Sequence, residues 1–184
     1  MTKDNARIPF AAVLRKDHAV EDEAWIRAML HGAATGALAT AQQDQPYLTT
    51  NLFVYDESQN VIYLHSGRNG RTFKAVQANA RICFSVSQMG RLLPGQSAAG
   101  MSVEYASVVV FGRASILSDP LEAARALQLL VDKYFAHLQA GRDYRPTSPE
   151  EIAGVAVYRI DIEQWSGKRK QAEPDFPGAF EYNR

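Results

Sequence analysis

Residues 35–66 read TGALATAQ-QDQP-YLTTNLFVYD-ESQN-VIYLHS, three apolar or β-branched segments separated by two polar turns of four residues each. A parallel strand pair needs a crossover of about a dozen residues or more, so turns this short force antiparallel neighbours. This stretch excludes a doubly wound parallel sheet more firmly than any other feature of the chain. The remaining elements agree with it. EDEAWIRAMLHGA places Ile26, Met29, Leu30 and Ala33 at helical spacing, and a short helix is expected at about 71–79. RICFSVSQM (81–89), VEYASVVVFGRASILS (103–118) and VAVYRIDIEQW (155–165) read as strands. Gly112, inside the longest of them, marks a bulge or a close backbone approach.

The clearest helix is DPLEAARALQLLVDKYFAHL (119–138). Asp119 suits the N-cap, Pro120 the first turn, and Glu122 the capping-box position. Leu121, Ala124, Leu127, Val131, Tyr134 and Leu138 form its expected buried stripe. GRLLPGQSAAGMS (90–102) reads as a long loop of the kind that covers a site, and a polar loop with Pro146 and Pro149 precedes the last strand. The predicted architecture is mainly β (α+β): an antiparallel barrel with flanking helices, in one domain over 1–184. Residues 1–20 form an extended arm, and 169–184 a tail too rich in proline and charge for a core element.

Charge narrows the partners. Lys+Arg and Asp+Glu balance at 20 each, so no overall field draws the chain to nucleic acid or anionic lipid. The single cysteine, Cys83, reads as a small buried hydrophobe and excludes an internal disulfide. No apolar run approaches a membrane span, and the first residues lack a signal-peptide core; a cytoplasmic protein is expected. The four histidines lack metal-ligand spacing, and GQSAAG does not match a nucleophile elbow.

Any anion site must therefore be local, and SGRNGRTFK (66–74) has its ingredients. Gly67 and Gly70 permit a sharp turn with exposed amides, and the following helix presents unpaired N–H groups and a positive dipole end. Arg71 can grip a phosphate through two parallel hydrogen bonds, Thr72 adds a hydroxyl and Lys74 a mobile charge. A solvated loop and helix face is the plainer reading of the same residues. His65, beside this stretch, is structural or catalytic; Tyr105 and Ser107 share one face of the long strand; Trp165 either packs the barrel end or closes a pocket.

RKDHAVEDEAWIRAML, QPYLTTNLFVYD, YLHSGRNGRTFK, NARICFSVSQMG, EYASVVVFGRA and VYRIDIEQWSGK succeed one another as in the pyridoxamine-phosphate-oxidase-like FMN-binding split barrels, which the chain resembles over roughly 13–170. Its nearest branch in that resemblance is the nitroimidazole-resistance flavoproteins. The resemblance implies a six-stranded split barrel, a homodimer, and one FMN in each of two clefts between subunits. It places Thr49, Thr50, Asn51 and Leu52 at the isoalloxazine edge, with His65 and Ser66 beside the flavin. Gly70, Arg71, Thr72 and Lys74 surround the phosphate. Tyr105 and Ser107 belong to the cleft wall, contributed by either subunit, and Trp165 and Lys168 close it. It further implies an oxidoreductase acting on nitro compounds or another small acceptor, with His65 catalytic, or else a non-catalytic carrier or sensor of flavin. Superfamily members that bind deazaflavin or haem keep the cofactor open. The R-L-x-P close of the vitamin-oxidising branch is missing after the last strand, which speaks against pyridoxamine phosphate oxidation.

Overall fold

The computed structural model describes residues 9–182, so the first eight residues of the expected N-terminal arm lie outside the description. Eight strands form one antiparallel sheet: β1 (Ala19–Val20), β2 (Gly36–Gln42), β3 (Gln45–Asn51), β4 (Val54–Asp56), β5 (Val61–Gly67), β6 (Arg81–Leu93), β7 (Ser102–Ile116) and β8 (Val155–Lys170). The order is β3-β2-β6-β7-β8-β5-β4, with β1 added beside β8. The two edges of that path, β3 and β4, are consecutive in the chain and joined only through Leu52 and Phe53. The sheet therefore bends back until its edges meet at one corner, which is a barrel split along one seam. The expected strand 47–56 is two strands because this corner interrupts it.

The count is eight rather than six, since the two-residue β1 and the three-residue β4 escape periodicity arguments. Gln43 and Asp44 both have positive φ (51° and 62°), the two-residue turn whose twist suits a hairpin between β2 and β3. Gly112 meets its expectation. The register slips between Phe111 and Gly112, and a Cβ on Gly112 would stand 2.1 Å from the Asp161 carbonyl oxygen.

Two apolar cores result. Leu38, Phe53, Ile62, Leu64, Phe84, Val108, Tyr158 and Ile160 fill the barrel, joined by Ile26 and Leu30 of helix α1 (Glu23–Gly32) and Val76 of α2 (Arg71–Ala78). Outside the barrel, Val54, Val61, Tyr63 and Val157 pack against Ala123, Ala126 and Leu130 of α3 (Pro120–Tyr134). The period-two alternation of β5 is lost at Val61–Leu64 because both of its faces are covered.

α3 departs from expectation in three ways. It ends at Tyr134, its buried face runs through Ala123, Ala126 and Leu130, and Leu121 stands 81 % exposed. Small residues let the helix approach the sheet closely, which rotates the larger Leu127 and Val131 to the flank. Glu122 does not complete a capping box. Its carboxylate instead accepts from Tyr63 Oη and from Arg159, each at 3.0 Å, tying the helix to β5 and β8. The proline-containing loop hides a further helix, α4 (Pro149–Gly154), started by a Ser148/Glu151 capping box.

The expected loop 90–102 is strand at its two ends, 90–93 and 102. Leu92 and Leu93 pair with Val103 and Ser102, so β6 and β7 form one long hairpin and only residues 94–101 connect them. β8 runs on to Lys170, taking in the first residues of the expected tail. Beyond it, Arg91 donates to the carbonyl oxygens of Ala172, Glu173 and Pro174, while Phe180 pairs with Leu92.

Candidate functional site

β5 delivers His65, Ser66 and Gly67 to the barrel end at which α2 begins. Gly70 N–H donates to the Gly67 carbonyl at 3.3 Å, and Gly70 occupies the N-cap with no side-chain cap. The first amides of α2 therefore face outward unclaimed by any capping group. Arg68, Arg71 and Lys74 are exposed around them, and none of the three has a carboxylate partner among the described residues. Arg71 rests over the Tyr47 ring, 4.7 Å from its centroid, which orients the guanidinium without neutralising it. Thr72 is buried at the helix start, and Ser66 Oγ is held 2.8 Å from Tyr158 Oη.

This arrangement has the chemistry of a phosphate site: aligned N–H groups, a helix dipole, and three uncompensated cations. Tyr47 was not among the residues singled out from the sequence. Its signal was available, since Tyr47, Thr49 and Asn51 share a face of β3 by alternation, and all three are half-buried while Leu48, Thr50 and Leu52 are exposed. Asn51 Nδ2 donates to the Thr49 carbonyl and hydroxyl, which stiffens the strand end.

On the other flank, His65 and Leu52 line an apolar cleft of about 320 Å³ whose opposite wall is α3 and α4, with Leu127, Val131 and Phe135 prominent. One side of the imidazole is open to solvent; the rest is desolvated by that wall, which lowers the His65 pKa below the ordinary histidine value. His65 is therefore neutral near pH 7, with one N–H to donate and one lone pair to accept. The neutral form leaves it suited to hydrogen bonding and proton transfer.

The predicted site residues divide into two groups. Thr49, Thr50, Asn51, Leu52, His65, Ser66, Gly70, Arg71, Thr72 and Lys74 belong to β3, the β3–β4 corner, β5 and α2, around one end of the barrel. Tyr105, Ser107, Trp165 and Lys168 do not join them within one chain. His65 pairs with Val157 of β8, and Lys168 stands eleven positions further along that strand, opposite Ser107. At about 3.3 Å per residue this is up to about 36 Å of strand. At the far end Lys168 Nζ lies 5.4 Å from the Tyr105 ring centroid, and Arg27 covers Trp165 at 4.9 Å. The connection at 94–101 lies at the hairpin tip, so it does not lie over its own chain's His65.

No group of three or more potential metal ligands occurs among the described residues, and no described helix is long and apolar enough to cross a membrane. Cys83 is half-buried, and burial raises its thiol pKa.

The family model described as pyridoxamine 5'-phosphate oxidase matches residues 22–169. None of the curated proteins matches the chain in sequence. Among solved structures, the chain is similar to the flavocytochrome Anf3 from Azotobacter vinelandii (24% identity, 95% of this chain and 84% of that one, TM-score 0.79). It is also similar to a putative 5-nitroimidazole antibiotic resistance protein from Bacteroides thetaiotaomicron (22% identity, 82% and 86%, TM-score 0.69). A FAD-binding protein from Mesorhizobium loti shares 24% identity over 83% of this chain and 97% of that one, with TM-score 0.58. At these identities the structural likenesses establish the fold.

Proposed function

Since the chain belongs to the pyridoxamine 5'-phosphate oxidase family, we propose that it is an FMN-binding flavoprotein that reduces nitro compounds or another small acceptor. The observation that carries this reading is the uncapped start of α2 with Arg68, Arg71 and Lys74 unpaired around it. A dianionic phosphate satisfies the open amides and the cations together. Charge-assisted hydrogen bonds there contribute about 1.5–3 kcal/mol each, against about 0.3–1 kcal/mol for the helix dipole. A terminal phosphomonoester, as in FMN, carries the second negative charge that three unpaired cations favour. The flavin and nitroimidazole-resistance descriptions of similarly folded proteins support the same class of ligand.

A bound FMN supplies the electrons, drawn from an external two-electron reductant. The chain's own residues do the rest. Arg71, Lys74 and the α2 amides hold the phosphate, with Thr72 at the helix start beside them. The β3 residues Thr49 to Leu52 lie along the edge that a ring system leaving the cradle would follow. His65 takes up a proton from water at its free ring nitrogen and, as the imidazolium so formed, passes a proton to the reduced acceptor.

The functional unit in this proposal is a homodimer. In it Tyr105, Ser107, Trp165 and Lys168, far from their own chain's His65 along β8, complete the partner's cleft.

The test uses purified protein given FMN and freed of excess. Flavin bands retained by the parent and lost from Arg71→Ala support the phosphate site; no retention by the parent removes the reading. Light scattering should give twice the monomer mass, and a monomer fully occupied by FMN contradicts the shared cleft. His65→Ala that keeps FMN yet reduces nitroimidazoles at the parental rate removes the catalytic role of His65. Flavin held with no acceptor turned over would assign a carrier or sensor.

A further inference from the structure

The cleft between His65 and helices α3 and α4 is explained by neither the fold nor the phosphate cradle. Leu127, Leu130, Val131 and Tyr134 of α3 and its C-cap residue Phe135 line it, along the flank beside the face packed on the sheet. Val131 and Leu127 belong to the stripe whose spacing predicted a core contact, and Phe135 is 49 % exposed. An apolar helix flank left beside an unpartnered imidazole has the ordinary make-up of a small-ligand pocket: apolar walls with a few convergent polar groups. Its polar groups are the His65 ring, the Thr147 hydroxyl and the Glu151 carboxylate. Glu151 alone among them carries charge at neutral pH, and it is negative, held by Arg145 at 2.6 Å.

Leu52 and His65 also bound the proposed flavin position, so the cleft opens onto the place where electrons would be delivered. Resting on the flavoprotein reading, we propose that this cleft is the acceptor subsite and that it selects uncharged, planar, apolar acceptors over anionic ones. A flat ring fits between the Leu52 corner and the Leu127–Val131 flank, which removes apolar area from water on both faces. Its electron-poor group then lies at His65, whose N–H donates to the oxygen that gains negative charge. An anionic acceptor meets apolar walls, the Glu151 carboxylate is already matched by Arg145, and no lining cation compensates the lost hydration. Val131 and Phe135 set the length of the slot, and so act as specificity-determining residues.

The experiment titrates FMN-treated protein with 4-nitrobenzyl alcohol and, separately, with 4-nitrobenzoate at pH 7.5, following the His65 imidazole resonances by NMR. The alcohol should shift His65 and bind at least tenfold more tightly than the carboxylate. Val131→Trp, which fills the slot, and Phe135→Asp, which charges an already exposed position, should each weaken the alcohol at least tenfold. Flavin retention should be unchanged in both. Phe135→Asp keeps the test decisive if the tryptophan variant does not fold. In a parent that retains FMN, no His65 shift, equal binding of the two compounds, or indifference to Phe135→Asp overturns the subsite and leaves the flavin reading standing. The expected pattern in a protein that retains no FMN keeps the pocket and removes the flavin reading instead.

Discussion

Two arginine-centred regions at opposite ends of the molecule solve opposite problems. At the tip of the β6–β7 hairpin, Arg91 is saturated: both terminal nitrogens and Nε donate, Glu104 accepts at 2.7 and 3.0 Å, and three tail carbonyls accept as well. At the start of α2, Arg71 has an aromatic ring beneath it and no acid, and Arg68 and Lys74 have no acidic partner either. Most other arginines on the surface, including Arg15, Arg27, Arg125, Arg142, Arg145 and Arg159, are matched to carboxylates. A fully paired arginine fastens one part of the chain to another. A cluster left unpaired holds binding capacity in reserve, because any anion that arrives displaces only water and counterions.

The contrast can be broken experimentally. Arg71→Ala should raise the FMN dissociation constant about 10–100-fold, the equivalent of one charge-assisted hydrogen bond. The melting temperature of the flavin-free protein should stay where it is, since Arg71 supports no internal contact but the Tyr47 ring. An equal loss of stability would make Arg71 structural. Arg91→Ala should do the reverse: FMN affinity within about twofold of the parent, with the tail at 171–182 cut several times faster by a protease. Acid should reproduce that release. The Arg91 guanidinium, with the Ala172 amide, holds the Glu104 pKa at about 2 against an ordinary 4.5. The tail latch is therefore complete above about pH 4.5, weakens as pH falls and is lost near 2. Tail cleavage that does not accelerate between pH 5 and pH 3, measured with an acid-tolerant protease, would contradict it. The smallest effect belongs to Tyr47→Leu, which removes a cation–π contact of about 0.5–1 kcal/mol and should weaken FMN about two- to fivefold.

What could be read from the residues before any coordinates followed from local rules. The four-residue turns dictated antiparallel pairing, and Asp119 caps its helix as expected, accepting from the Leu121 amide. Gly112 marked the point where Asp161 comes too close for a side chain, and SGRNGRTFK marked the turn and uncapped helix start where Arg68, Arg71 and Lys74 stand without acidic partners among the described residues. Several misses were decided by partners elsewhere in the chain, whereas the missed α4 carried a local signal in its Ser148/Glu151 capping box. Leu92 and Leu93 look like loop in GRLLPGQ, and become strand because Val103 and Ser102 return alongside. Glu122 sits at a capping-box position, but Tyr63 and Arg159 offer its carboxylate better-placed donors. Leu121, Leu127 and Val131 are spaced for burial, but Ala123 and Ala126 allow the closer approach to the sheet.

The site shows the same division. Residue type and short spacing sufficed to assemble Gly67, Gly70, Arg71, Thr72 and Lys74, because they lie within one turn and one helix start. They also placed His65 beside this stretch, whereas Thr49 to Leu52 came from the family resemblance. Only the folded barrel decided that Tyr47 underlies Arg71, that α3 turns an apolar flank toward His65, and that Tyr105, Ser107, Trp165 and Lys168 stand at the far end of β8. Backbone preferences act over a few residues and are written in the local sequence. The register of β8 against β5 and β7, and the rotation of α3 on the sheet, depend on how side chains from distant segments fill one shared volume, and that volume exists only after the chain has closed on itself.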